Sequence, residues 1–146
     1  MTRTEKAVEL FEKGLNCAQA MLTVFGEPYG IDEQMARRLG RPLGGGLGRM
    51  GLTCGAITGA TLVLGLARGT KPDEAEARAE VGPAVQEFIR RFQQRHGSSL
   101  CRDLLGADMS TESGARKVKE EKLVAQVCPG VMRDAADILG DILGRA

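Results

Sequence analysis

Apolar residues recur along this chain at three- and four-residue intervals, and no stretch alternates with period two, so the pattern predicts helices throughout and requires no sheet. A first helix is expected over residues 4–13, with Val8, Leu10 and Phe11 as its apolar stripe and Gly14 as its stop. Asn16 is a strong N-cap for a second, carrying Cys17, Ala20, Met21, Val24 and Phe25 and ending near Gly26 and Pro28. The two also read as one helix kinked at Gly14. Asp32 caps a short helix through Leu39, closed by Gly40 and Pro42.

A glycine-rich loop over residues 44–51 then leads into the most apolar segment, residues 52–67. That segment falls short of the roughly 20 residues of a membrane span, so it reads as a buried central helix. Gly51 at its edge and Gly55 and Gly59 within it recur at every fourth position, leaving one face open to another backbone. Lys71-Pro72-Asp73 opens a long helix to about His96, with Val81, Val85, Phe88, Ile89 and Phe92 on its core side and Pro83 as a bend. A short helix over 101–105, a polar one over 110–122 and a last one over 129–143 complete the chain. The last carries Val131, Met132, Ala135, Ile138, Leu139 and Ile142 at helical spacing. The fold expected is all-α: a compact single-domain bundle of about six to seven helices spanning residues 1–146, with no linker or low-complexity run.

Charge and composition narrow the chemistry. Lys and Arg total 20 against 19 Asp and Glu, and aromatic residues make up 3%, so neither a basic field nor stacking platforms favour nucleic acid. The first residues are charged and helix-patterned, without the apolar core of a signal peptide, and a reducing cytoplasm is the expected setting.

The four cysteines, Cys17, Cys54, Cys101 and Cys128, carry the functional reading. Each falls where local sequence reads as a helix start: Cys17 follows Asn16, Cys54 follows Thr53, Ser98 and Ser99 stand before Cys101, and Cys128 precedes Pro129. A thiol there faces unpaired backbone N–H groups and the positive end of the helix dipole, which lower its pKa. Core filling and a pair of structural disulfides are the alternatives. Without a Cys-x-x-Cys pair, any shared site must be assembled by tertiary structure. Four converging thiolates suit either a thiol–disulfide couple or a metal site, with zinc or an iron–sulfur cluster as cofactor. Cys54 is the expected nucleophile because the glycines beside it give access.

Gly46-x-Gly48-x-x-Gly51 matches the dinucleotide fingerprint literally, but a capped helix and Arg41-Pro42 precede it where a strand should stand. The loop reads instead as backbone folded close to the cysteines, with Gly46, Gly48 and Gly55 permitting the approach and Arg49 placing a cation beside a thiolate or cluster. His96 reads as a C-terminal helix residue rather than a ligand.

At these residues the chain resembles the family described as putative redox-active proteins and named for the pattern C_GCAxxG_C_C. The motif is Cys54-Gly55-Ala56-Ile57-Thr58-Gly59, supported by Gly14-Leu15-Asn16-Cys17-Ala18-Gln19-Ala20, by Gly44-Gly45-Gly46 and by Val63-Leu64-Gly65-Leu66. The resemblance covers nearly the whole chain, and the family's four cysteines map onto Cys17, Cys54, Cys101 and Cys128. It implies redox chemistry and an association with transporters encoded nearby; a partner protein or small thiol is the electron partner expected of the cysteines. A metal or cluster carrier, and a helical module that forms a homodimer through the glycine face, are the competing expectations. Covalent haem is not expected, since Cys-x-x-Cys-His is absent.

Overall fold

The computed structural model describes residues 1–144, and among them it contains eight α-helices and no strand. In chain order these are α1 (Arg3–Glu12), α2 (Cys17–Phe25), α3 (Glu33–Gly40), α4 (Gly55–Arg68), α5 (Glu74–His96), α6 (Cys101–Leu105), α7 (Glu112–Glu120) and α8 (Leu123–Leu143). Short 3-10 turns at Glu27–Tyr29 and Arg41–Leu43 flank α3. The count exceeds the six to seven expected, because α1 and α2 are separate helices, each with its own capping box.

The all-α fold follows from the apolar stripes. α2 is the most enclosed helix: Ala18, Ala20, Met21, Leu22, Val24 and Phe25 are all buried. It packs against α1, α3 and α4, while α8 covers α1, α4 and α5. Phe88 and Phe92 of α5 and Met132, Ile138 and Leu139 of α8 fill the same core, on the faces their spacing predicts. No described helix is long and apolar enough to cross a membrane.

Two expectations fail, each for a local reason. Gly51 does not continue the glycine stripe into α4. It lies in the preceding loop with φ +71°, and a Cβ there would stand 3.0 Å from Asp108 Oδ1 and 3.1 Å from Arg102 Cβ. Gly55 and Gly59 do share a helix face, but α2 occupies it: a Cβ on Gly59 would lie 3.0 Å from Ala18 Cα, and one on Gly55 3.2 Å from Ala18 N. The close approach is therefore spent inside the chain, and dimerisation through this face would have to displace α2.

The last helix begins at Leu123 rather than at Pro129. Lys122, in the left-handed region at φ 53°, turns the chain directly from α7 into α8 without a linker. Pro129 therefore sits inside the helix. Its missing N–H leaves the Ala125 carbonyl without an intrahelical partner, and the exposure of Ala125 gives that carbonyl access to water.

Candidate functional site

A reciprocal cap fixes the first cysteine. Asn16 Oδ1 accepts from Gln19 N at 2.8 Å and Gln19 Oε1 accepts from Asn16 N at 3.0 Å, which sets Cys17 as the first residue of α2. The same two side chains reach α3, with Asn16 Nδ2 donating to Gly40 O at 3.0 Å and Gln19 Nε2 to Arg37 O at 2.9 Å. One pair of amides thus starts α2 and ties it to the helix that precedes the glycine loop. Asn16→Ala removes the cap and strands these groups. A loss of about 1–2 kcal/mol is expected in urea unfolding, with a reduced rate of any reaction that needs Cys17 in place.

Cys54 and Cys101 are brought side by side by two short extended segments. Thr53 and Leu100 form an isolated antiparallel bridge, Cys54 N donates to Ser99 O at 2.9 Å, and Cys101 N donates to Leu52 O at 2.6 Å. Cys54 is then the N-cap of α4 and Cys101 the first residue of α6, so three of the four cysteines stand at helix starts as expected. Cys128 does not. It lies in the second turn of α8, because the Cys-Pro pair is helix interior and not a cap.

The glycine loop folds over this arrangement. Residues 45–49 all have φ between 58° and 74°, so the backbone makes a left-handed turn that includes two non-glycine residues, Leu47 and Arg49. Such a conformation costs roughly 1–2 kcal/mol for each L-residue with a Cβ, and is retained where surrounding structure enforces it. Here Arg49 N donates to Gly44 O at 3.0 Å, Gly51 N to Gly45 O at 3.0 Å and Leu52 N to Gly46 O at 2.9 Å. A Cβ on Gly46 would fall 2.8 Å from Cys101 Cβ and 2.6 Å from Leu52 N, so only glycine allows the loop to approach this cysteine. No strand precedes the loop among the described residues, and the dinucleotide-binding context is not met.

All four cysteines are free and line one cavity of about 1080 Å³, together with Gly44, Gly45, Gly46, Arg49 and Gly55. Gly48 stands outside the lining. His96 is also remote: its ring lies 4.8 Å from that of Phe92, and its Nε2 is 2.9 Å from Asp134 Oδ2.

The thiols are not equivalent. The neighbouring Cys128 and Cys54 side chains, together with burial, hold the Cys17 pKa well above the ordinary thiol value. Cys54 is shifted the other way. The Cys17 thiol lowers its pKa most, the backbone N–H groups of Ala56 and Ile57 add to the effect, and burial opposes them. Cys101 is pushed up to about 12 by burial and by proximity to the Cys54 and Cys128 sulfurs, with Arg49 offsetting part of the rise. The expectation of four activated thiols is thus corrected. Cys17 also heads a helix, but its neighbours raise its pKa, and the helix start that delivers activation is the one at Cys54.

Among the described residues, no group of three or more His, Cys, Asp or Glu side chains is arranged so that it could hold a metal ion. The side chains as folded therefore offer no ready-made site for a single metal ion such as zinc.

Neither a curated protein nor a solved structure matches the chain. A sequence model of one family does, described as "Putative redox-active protein (C_GCAxxG_C_C)" and aligned to residues 15–142, a span that takes in all four cysteines and the loop that covers them. With that match extending over far more than half of its length, the chain belongs to the C_GCAxxG_C_C family.

Proposed function

We propose that the protein is a thiol–disulfide redox protein in which Cys54 is the attacking thiolate and Cys17 the resolving thiol. The observation that carries this reading is that Cys17 and Cys54 line one cavity, with Cys54 at the start of α4 and the Cys17 side chain the largest cause of its lowered pKa. This supplies what disulfide exchange calls for, a sulfur biased toward the thiolate and a second thiol lining the same cavity.

The Cys54 thiolate attacks one sulfur of a substrate disulfide, forming a mixed disulfide and releasing the other half as a thiolate that takes up a proton. Cys17, having lost its proton to solvent, then attacks the Cys54 sulfur, closes a Cys17–Cys54 disulfide and expels the second half, which is protonated in turn. The substrate disulfide gains two electrons and two protons; the protein supplies both electrons and the Cys17 proton, and solvent supplies the second proton. Cys128, which lines the same cavity, can take the disulfide on by attacking the Cys17 sulfur, closing a Cys17–Cys128 bond and releasing Cys54 as a thiolate. A reducing cytoplasm and a thiol-based electron partner are consistent with such a couple.

Protein purified without oxygen tests the proposal. Thiols are counted before and after mild oxidation, bonds are mapped by mass spectrometry, and iron, zinc and sulfide are assayed on the same sample. The expected result is metal-free protein that loses two thiols reversibly, with Cys17 in the new bond. Stoichiometric iron and sulfide would replace this reading with a cluster carrier, and four inert thiols would make the cysteines core residues.

A further inference from the structure

The cavity above the thiols has a definite chemical character of its own. Its walls are apolar, with Leu104, Met109, Val124 and Val127 among them, and its volume of about 1080 Å³ lies just above the usual range for small-molecule sites, about 300–1,000 Å³. Its rim is charged. Arg49, Arg116, Lys119 and Lys122 line it and are exposed, against the two acids Glu12 and Glu112. Arg116 is paired with Glu112 at 3.2 Å, whereas Arg49, Lys119 and Lys122 form no salt bridge among the described residues. The chain as a whole is close to neutral, at +1, so this excess of cations is local. The left-handed turn at residues 45–49 keeps Arg49 on the same opening.

The geometry points to a low-molecular-weight disulfide as substrate, with an apolar or aromatic body and carboxylate or phosphate groups, seated with its sulfurs on Cys54 and its anionic groups on Lys119, Lys122 and Arg49. This inference rests on the thiol–disulfide reading and adds its substrate class. The electron balance is that of the exchange already described: one disulfide enters, two thiols leave, and the protein closes one disulfide. Walls of this kind shield the sulfur–sulfur contact from water, and the cations raise the local concentration of an anionic substrate.

Two reagents of the same chemistry separate the inference from the reading beneath it: dianionic dithiobis(nitrobenzoate) and neutral dithiodipyridine. Each is mixed with the reduced full-length protein without oxygen. The readout is the ratio of the anionic to the neutral rate constant, divided by the same ratio for a small free thiol. In the wild-type protein at low salt this normalised ratio is expected to exceed one, and to fall toward one in molar salt. In Lys119→Gln/Lys122→Asn it is expected to fall about tenfold, the scale for two cations acting on a dianion across several ångströms. Arg38→Gln/Arg90→Gln, which removes two cations elsewhere on the surface, is expected to keep the wild-type ratio. A ratio that neither salt nor the lysine substitutions change would overturn the substrate class while leaving disulfide exchange in place. No reaction of the cavity thiols with either reagent would remove the reading on which it rests. The wild-type salt series gives its answer whether or not the lysine variant folds.

Discussion

Cys54→Ser is expected to reduce disulfide exchange by at least about two orders of magnitude while leaving the fold intact, because a serine hydroxyl stays protonated where the thiolate attacked. Cys101→Ser, by contrast, is expected to lower the rate by less than about threefold. Its thiol does not ionise until about pH 12 and contributes no thiolate near neutrality. The pH profile supplies a sharper distinction. Iodoacetamide modification of the first thiol should reach half its plateau rate below the ordinary thiol pKa, since Cys54 is held low. Cys17→Ala removes the largest cause of that depression, so the midpoint moves up. Cys17→Ser keeps a donor in place and restores part of the shift, yet it cannot form the resolving disulfide. A midpoint that is the same in wild type, Cys17→Ala and Cys17→Ser would show that the Cys17 side chain does not set the reactivity of Cys54.

These roles were only partly legible in the sequence, and the division follows the range of the interactions. Asn16 was readable because an N-cap is a contact over three residues, and the structure places Cys17 where that cap predicts. Cys128-Pro129 misled for the same reason. A proline that fits the first turn of a helix equally fits an interior position whose orphaned carbonyl is exposed, and only the direct turn from α7 into α8 decides between them. The bridge between Thr53 and Leu100, which sets Cys101 beside Cys54, joins segments nearly fifty residues apart in the chain, and no local signal marks it. The order of acidity was illegible too. Helix-start electrostatics alone would activate Cys17 and Cys54 alike, and the difference arises from how the neighbouring cysteines act on each. Glycine in the motif was readable as a close approach, but not what approaches.

What approaches is α2, so Gly59→Val is expected to damage fold and chemistry together. A Cβ at residue 59 would lie 3.0 Å from Ala18 Cα, 3.1 Å from Ala18 O and 3.1 Å from Met21 Cβ. Two of these atoms are backbone and cannot rotate away, and the two methyls of valine extend farther into the same space. Helix propensity favours the substitution by a few tenths of a kcal/mol at most, whereas overpacking costs about 1–3 kcal/mol, so packing decides the sign. A net loss of about 2 kcal/mol should lower Tm by roughly 6–8 °C for a domain of this size. Relief of the clash requires α2 to move away from α4, and α2 carries Cys17 at its first turn while Cys54 caps α4. Gly59→Val is therefore expected to form the Cys17–Cys54 disulfide at least about tenfold more slowly than wild type, even well below its own Tm, since exchange depends steeply on the approach of the two sulfurs. Gly65→Ala lies on the same helix, where a Cβ meets nothing within 4 Å, and should gain up to about 1 kcal/mol with unchanged disulfide formation. If Gly59→Val lowered Tm but closed the disulfide at the wild-type rate, the spacing of α2 and α4 would be a matter of stability alone, and the glycines of the Cys-Gly-Ala-x-x-Gly motif would have no part in aligning the thiols.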